Sequence, residues 1–477
     1  MVNNSTNQSL DTAKKHQWGF TDTRFVVNDD LTVTLTGDRY DLSGYQMPYL
    51  LAHVQQELGI EIELGNYRQE IAPKFIDSPS LDRDFCQAVS QLFSAHQYTV
   101  DDVERLLHSH GQNAFDEVYQ VLYDRLKRTI DMVFYCESES DAQQLIELAI
   151  EHDVCLIPFG GGTNVSCALK LPECETRMMI AVDMHRMNRV EWIDTKNLQA
   201  CVQAGITGKQ LEEILQAKGF TSGHEPDSLE FSTLGGWIAT NASGMKKNRY
   251  GNIENIVENI TMITPRGVLS QSQGLPRVAM GMQSQNLLFG SEGNLGLITK
   301  ATIKIYPLPQ RKQYGSIVFP NFELGVQFLD RLAHSGCLPA SIRLVDNNQF
   351  RFGQVLKPKM TGFKGTIDRL KKLYLLKLKG FQPDRMVAAT LVMEGTDREV
   401  AYQQQHIYTL AKQFQGLPAG AENGRRGYML TYAIAYIRDF FFTLDILGES
   451  FETSVPWDKI HQVCASVTAD FQAQHQQ

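Results

Sequence analysis

Three consecutive glycines directly behind a short apolar run set the strongest limit on how this chain can fold. The segment reads Pro158-Phe159-Gly160-Gly161-Gly162-Thr163-Asn164, and Val154–Pro158 has the pattern of a buried strand. Glycines let successive backbone N–H groups turn into one concavity, a nest that holds phosphate or pyrophosphate oxygens without a lysine. Thr163, Asn164 and Ser166 can add side-chain hydrogen bonds. The segment is not a nucleotide P-loop, since Thr163-Asn164 stands where that motif requires Lys and Ser/Thr. Nor is it the dinucleotide fingerprint of a doubly wound sheet, because the branched Val165 takes the place of the third glycine. For these glycines alone, a tight surface turn is the plainer alternative.

Two further passages shift that balance. Residues 226–252 carry Gly235, Gly236 and Gly244 among the hydroxyls of Ser232, Thr233, Thr240 and Ser243, and Leu234, Trp237 and Ile238 are interleaved. Such apolar content is not that of a solvated linker. Gly290-Ser291-Glu292-Gly293-Asn294-Leu295-Gly296 then precedes an apolar strand around Ile298. Three such passages between residues 158 and 296 suit the wrapping of one extended polar ligand.

A chain of 477 residues exceeds one growing core, so two or three domains are expected. Its formal charge of −9 argues against nucleic-acid binding, which requires a basic surface. The eight cysteines form no C-x-x-C pair and no Cys/His cluster of zinc spacing, so they read as reduced thiols and no metal is expected. Met1–Gln17 is polar rather than leader-like, and no run of about eighteen apolar residues occurs.

Residues 1–24 read as a tail and 25–127 as a mainly helical region, with a hairpin at 25–40 turning at Gly37-Asp38. In 128–309, Asp141 could cap a helix through Ala149, and strands are expected at 178–183, 188–203, 257–264 and 297–305. A helix near 208–218 ends at Gly219, and Pro307 and Pro309 close the unit. In 310–477, strands at 315–319 and 386–394 alternate with helices at 322–334, 364–381 and 399–415. Residues 428–442 fit a long strand or a buried helix. This alternation predicts an α+β architecture of sheets covered by helices. Residues 357–379 carry eight basic side chains and one acidic one. A helix there could lay Ile367, Leu370, Tyr374 and Leu378, extended by Phe381, on a lipid surface, or pack that stripe on the protein.

The segments PFGGGTNVS (158–166), GHEPDSLEFSTLGGWIATNASGMKKNRYGNIE (223–254), PASIRLVDNNQF (339–350) and YAIAYIRDFFFTLDILGESFETSVPWD (432–458) together carry a family resemblance. The chain resembles the flavin-binding fold of the vanillyl-alcohol oxidase family and, within it, the alkylglycerone-phosphate synthases. The first segment is shared widely among flavin oxidases, whereas the other three together are specific to the synthases. The likeness runs from about Trp18 to Trp457. It departs at Asn294, where the family usually has threonine, and at Cys136, where proline is common.

The resemblance implies a vanillyl-alcohol-oxidase-type FAD-binding domain at 128–309 and a mixed-sheet cap or substrate domain at 310–477. It implies noncovalent FAD held by Pro158, Phe159, Gly160, Gly161, Gly162, Thr163 and Asn164. Asp227, Ser228, Ser232, Thr233, Gly235, Gly236, Thr240, Ser243 and Gly244 would form a second wall, and Glu292, Gly293 and Ile298 a third. The implied reaction exchanges the acyl group of acyl-dihydroxyacetone phosphate for a long-chain alcohol through an adduct at flavin N5, giving an ether-lipid precursor. Arg343 and Arg438 are fixed-charge forks suited to a phosphate or oxyanion, and His224 could exchange protons near the flavin. Their plainer readings are ion pairs with Asp346 and Asp439 and a packed or capping histidine. The synthases continue beyond the position of Gln477, and their acid–base tyrosine and histidine loop lie in that portion. The cap is therefore expected to be incomplete at the C-terminus, the catalytic C-terminal portion absent and activity impaired. A homodimer and a peroxisomal location also follow from the resemblance, although neither terminus carries a recognised address. A substrate-oxidising flavoenzyme and a silent flavin- or lipid-binding form are the competing readings.

Overall fold

Local turn and cap chemistry fixes where the elements begin. The computed structural model describes residues 18–63, 76–123, 125–271, 275, 281–357 and 374–475. Strands β1 (Phe25–Val27), β2 (Val33–Leu35) and β3 (Gln46–Met47) make a small antiparallel sheet. Its first turn falls at residues 28–32, where Asn28 N donates to the Thr32 carbonyl at 2.8 Å and the Asn28 amide reaches Thr32 and Thr34. That asparagine closes the hairpin early, so Gly37-Asp38 lies in the β2–β3 connection instead of at the expected turn. Helices α1 (Leu50–Leu58) and α2 (Arg83–Leu92), strand β4 (Tyr98–Thr99), and helices α3 (Asp102–Leu107) and α4 (Phe115–Leu122) follow.

Two sheets build the next unit. Strands β5 (Met132–Tyr135), β6 (Cys155–Phe159) and β7 (Met179–Asp183) run parallel in the order β4-β5-β7-β6, with β4 antiparallel at the edge. A central parallel strand is covered on both faces and needs an unbroken apolar run, and Met179–Asp183 is buried throughout. Helix α5 (Glu139–Glu151) crosses from β5 to β6. Its cap is Ser138, which accepts from Asp141 N at 3.1 Å, not Asp141, whose carboxylate stands in the first turn near the positive helix end.

The second sheet has the order β12-β11-β13-β9-β8 and is antiparallel. The expected strand at 188–203 is broken into β8 (Val190–Asp194) and β9 (Gln199–Gln203), because Asp194 accepts from Lys196 N and Asn197 N and folds the chain back. Helix α6 (Gly208–Gln216) carries a Thr207/Gln210 capping box, and Gly219 follows it at φ 83°. Strand β10 (Phe220–Thr221) precedes helices α7 (Leu234–Ala239), α8 (Lys247–Tyr250) and α9 (Ile253–Ile256). Strands β11 (Val257–Thr264), β12 (Gly267–Leu269) and β13 (Leu297–Lys304) complete the sheet, and β14 (Tyr306–Pro307) pairs with β10.

The cap begins with β15 (Arg311–Phe319), α10 (Phe322–Ala333), β16 (Ser341–Val345), α11 (Asn347–Val355) and β17 (Val387–Gly395). It continues through α12 (Asp397–Gln413), β18 (Leu417–Pro418), α13 (Ala421–Phe442) and α14 (Ile460–His475). The expected mixed sheet is instead antiparallel among the described residues, in the order β16-β17-β15-β18. The α10 crossover carries the chain past one strand position, and β17 fills that gap antiparallel to both neighbours. Residues 428–442 belong to the helix α13, whose buried positions Gly424, Tyr428, Thr431, Ala433, Tyr436, Ile437 and Phe440 recur at helical spacing. Gly424 permits the contact with the sheet, since a Cβ there would lie 2.1 Å from the Gly315 carbonyl oxygen. Most of the basic helix expected at 364–381 lies outside the described residues. At its end Leu378 is exposed, whereas Phe381 is buried with Val318, Met386 and Ala388. No helix among the described residues is long and apolar enough to cross a membrane.

Candidate active site

Strand β6 delivers the glycine nest to a crowded junction. A Cβ on Gly161 would lie 2.1 Å from the Phe231 carbonyl oxygen, and one on Gly160 2.6 Å from Thr233 Oγ1. The first glycine-rich passage therefore lies flat on the second. The third is stacked on the first, because a Cβ on Gly293 would meet Pro158 Cδ at 2.9 Å. Gly162 and Gly293 have φ of 64° and 82°, which a side chain would strain. Ser166 Oγ donates to Glu292 Oε1 at 2.7 Å, and Glu292 N donates to the Ala239 carbonyl at 2.9 Å. Thr233 caps α7 by accepting from Gly236 N at 3.2 Å.

These passages wall one end of a cavity of about 2560 Å³, against roughly 300–1,000 Å³ for an ordinary small-molecule pocket. Each residue expected to hold the cofactor, from Pro158 to Ile298, lines it. The cap supplies an apolar wall that includes Ile342, Leu344, Phe350, Phe352, Leu430 and Phe441. A glycine cradle for a pyrophosphate, hydroxyls beside it and space beyond it fit a flavin dinucleotide plus an apolar substrate.

Arg343, on β16, lines the cavity with its side chain 45% exposed, bonded through Nη1 to Thr431 Oγ1 at 3.2 Å and through Nη2 to Asp227 Oδ1 at 3.3 Å. Its partner is Asp227, not the Asp346 of the plainer reading, which caps α11 by accepting from Gln349 N. Arg438 also lines the cavity, but its fork is engaged by protein. It donates to Asp439 Oδ1 at 2.7 Å, to the Gln112 carbonyl at 2.9 Å and to the Asn113 carbonyl at 3.0 Å. Gln112 N in turn donates to the Gly162 carbonyl at 2.7 Å, so Arg438 ties the cap helix to the nest. His224 is not among the lining residues. It is buried against Trp237 with neither ring nitrogen hydrogen-bonded, and burial lowers its pKa to about 4. The ring stands directly behind Gly244 of the cavity wall, where an added Cβ would meet His224 Nδ1 at 3.1 Å.

Two buried charge clusters escaped the sequence reading. Glu225 Oε1 accepts from Tyr428 and Tyr432 hydroxyls, each at 2.8 Å, while Oε2 lies 2.8 Å from Lys246 Nζ. Lys246 also approaches Glu394 Oε1 at 3.4 Å, and Glu394 Oε2 accepts from Tyr250 at 2.8 Å. Beneath the nest, Asp183 bonds His108 Nε2 at 2.8 Å and His185 Nδ1 at 2.9 Å, and the His108 ring lies 4.4 Å from that of Phe159. Asp183 and His185 are two residues apart, but His108 joins them from 75 residues away, and the Glu225 cluster is likewise assembled across the fold.

A glycine-cradled cavity closed by an antiparallel cap defines a flavoprotein of the FAD-linked oxidase type. Residues 130–271 match the FAD binding domain family, and residues 308–476 match the family of FAD linked oxidases, C-terminal domain. The chain is 42% identical over 455 residues to the alkyldihydroxyacetonephosphate synthase of Caenorhabditis elegans, an alignment covering 95% of this chain and 76% of that protein. It is 28% identical over 459 residues to the synthase of Dictyostelium discoideum, covering 94% and 75% respectively. A solved alkyldihydroxyacetonephosphate synthase superposes with a TM-score of 0.86 at 26% identity, covering 99% of this chain and 84% of that one. The chain belongs to the alkyldihydroxyacetonephosphate synthase family, which makes it an FAD-dependent enzyme of the transferase class.

These matches overturn the expectation of an absent catalytic C-terminal portion and an incomplete cap. The C-terminal domain of the FAD linked oxidases is present here, spanning residues 308–476. The cap expected at 310–477 coincides with this domain, and only its incompleteness is overturned.

Proposed function

We propose that this cavity exchanges the acyl group of acyl-dihydroxyacetone phosphate for a long-chain alcohol, yielding an ether-lipid precursor. The observation that carries the reading is one continuous cavity whose wall passes from three glycine-rich passages to the apolar face of the cap. FAD, when bound, would supply an electron-accepting ring able to activate the exchanging carbon. The residues from Pro158 to Asn164, with those of the 227–244 and 292–298 passages, would hold its phosphates and orient its polar edges. Arg343 keeps part of its fork exposed, which suits the substrate phosphate or the departing carboxylate. Arg438 positions the nest through Gln112, since its donors are already engaged. Apolar side chains of α11 and α13 would take the hydrocarbon chains and keep water from the reacting carbon.

The test is incubation of FAD-loaded protein with palmitoyl-dihydroxyacetone phosphate and labelled hexadecanol. Ether product and released palmitate, without peroxide, are the expected result; substrate-driven flavin reduction with peroxide release and no ether product would overturn it. A peroxisomal location and a homodimer belong to the same proposal, checked by imaging a tagged chain and by sedimentation.

A further inference from the structure

We infer that Lys246 and Glu225 fix the Tyr432 hydroxyl as a hydrogen-bond acceptor in the cavity wall, and that this acceptor selects a ligand bearing an O–H donor. The inference rests on the function proposed above for the identity of that ligand, a long-chain alcohol. Tyr432 lines the cavity, and its hydroxyl lies 2.8 Å from Glu225 Oε1. An ionised carboxylate only accepts, so the single Tyr432 proton is committed to Glu225. What the hydroxyl can then offer a ligand is a lone pair. Acyl-dihydroxyacetone phosphate has an ester, a ketone and a phosphate but no alcohol O–H, so the entering alcohol is the substrate that such an acceptor favours.

The polarity holds only while Glu225 stays charged, and its surroundings ensure that. Burial pushes the carboxyl up, but Lys246 and Lys312, with hydrogen bonds from Lys246 and Tyr432, outweigh it and hold the pKa at about 2. The groups facing Glu225 are Lys246 from the loop before α8, Lys312 from β15, Tyr428 and Tyr432 from α13, and Asp227 from its own loop. Behind Lys246 stand Glu394 and Tyr250, and Arg343 faces Asp227. Lys246 is 7% exposed and is the cation in contact with Glu225, so it is a positioning residue acting through Glu225 on Tyr432. Without its charge the carboxyl can protonate and donate to Tyr432, and the Tyr432 proton is then free to turn into the cavity.

The experiment titrates FAD-loaded protein with 1-hexadecanol and with hexadecyl methyl ether, which lacks the donor, following flavin fluorescence. The native protein should prefer the alcohol, and Tyr432→Phe should abolish that preference, a loss of roughly 3- to 10-fold. Lys246→Met should lose it at low pH and regain it as pH rises past the released Glu225 carboxyl, whereas Lys246→Arg should keep it at every pH. A thermal melt with FAD present confirms that each variant is folded, and Tyr432→Phe tests the acceptor even if Lys246→Met does not fold. Unchanged discrimination in Tyr432→Phe overturns the inference, as does a Lys246→Met preference independent of pH. If native protein discriminates between the ligands yet makes no ether product, the proposed function fails while the acceptor stands.

Discussion

Gly161→Ala should cost this protein its FAD without unfolding it. The added Cβ would lie 2.1 Å from the Phe231 carbonyl oxygen, 2.7 Å from the Phe231 carbonyl carbon and 2.8 Å from Ser232 Cα. All three are backbone atoms, so no rotamer change can relieve the contact. An ordinary carbon–oxygen approach is about 3.3 Å or more, so the two passages must part by more than about 1 Å. Overpacking of this kind costs about 1–3 kcal/mol. If the cost falls on the form that grips the cofactor, affinity drops by about 5- to 150-fold. The assay is the FAD released on denaturing purified protein, together with a dissociation constant from quenching of flavin fluorescence. Gly353→Ala, inside α11 with nothing within 4 Å of the added methyl, should leave FAD content unchanged. A Gly161→Ala protein that binds FAD within about twofold of the native affinity would refute the contact-based argument.

Other perturbations read different parts of the fold. Phe319→Ala removes a fully buried ring that packs 5.0 Å from Phe328, and should cost about 3–5 kcal/mol in denaturant unfolding. Arg438→Ala strips the fork from a nearly buried Asp439 and should cost a similar amount, roughly 3–5 kcal/mol, with FAD retention falling alongside; Arg438→Lys should recover only part of either. Around Asp183, burial opposes the charge, but His185 and His108 overcome it and hold the carboxyl below its usual range. Burial likewise pulls His185 down, yet Asp183 raises it. A depressed acid contributes stability that is lost as pH falls through its folded pKa, and a raised histidine contributes stability that is lost as pH rises above about 6.5 through its folded pKa. A melting-temperature scan should therefore decline on both sides, and Asp183→Asn should flatten the alkaline decline.

How much of this was legible in the sequence depends on the range of each interaction. The nest was readable because glycine spacing is local, and Gly162 and Gly293 answer a local demand with positive φ, although Gly160 and Gly161 answer contacts with Thr233 and Phe231 that the sequence does not show. The capped helices α6, α10 and α12 were readable to within a few residues, whereas α7 and α11, capped by Thr233 and Asp346, were not, and the cap of α5 was misplaced because Ser138 and Asp141 both suit a helix start. Sheet type in the cap was not readable, since strand direction is set by what lies between β15 and β16, and that is β17, which follows both in the chain. The pairing of Arg343 with Asp227 was equally hidden, because nearby Asp346 offered a partner in sequence while its carboxylate was already used to cap α11.

The same reasoning explains why the two units cannot be treated as separate sites. Glu225 and Lys246 come from the FAD-binding unit, while Glu394, Lys312, Tyr428 and Tyr432 come from the cap, and the largely buried Glu225, Lys246 and Glu394 are balanced by Lys312, which stays partly exposed. Removing one buried partner of such a cluster leaves an uncompensated buried charge, whereas separating the units would expose Glu225, Lys246 and Glu394 to water together. The cluster therefore favours one seating of the cap on the FAD-binding unit over slightly displaced ones, since a small shift breaks the pairs before water can reach them. Arg438, bonded to Gln112 and through it to Gly162, applies the same constraint nearer the C-terminal end of α13. With the cap helix held at both places, the distance between the glycine nest and the apolar wall is set by geometry internal to the protein rather than by the ligand.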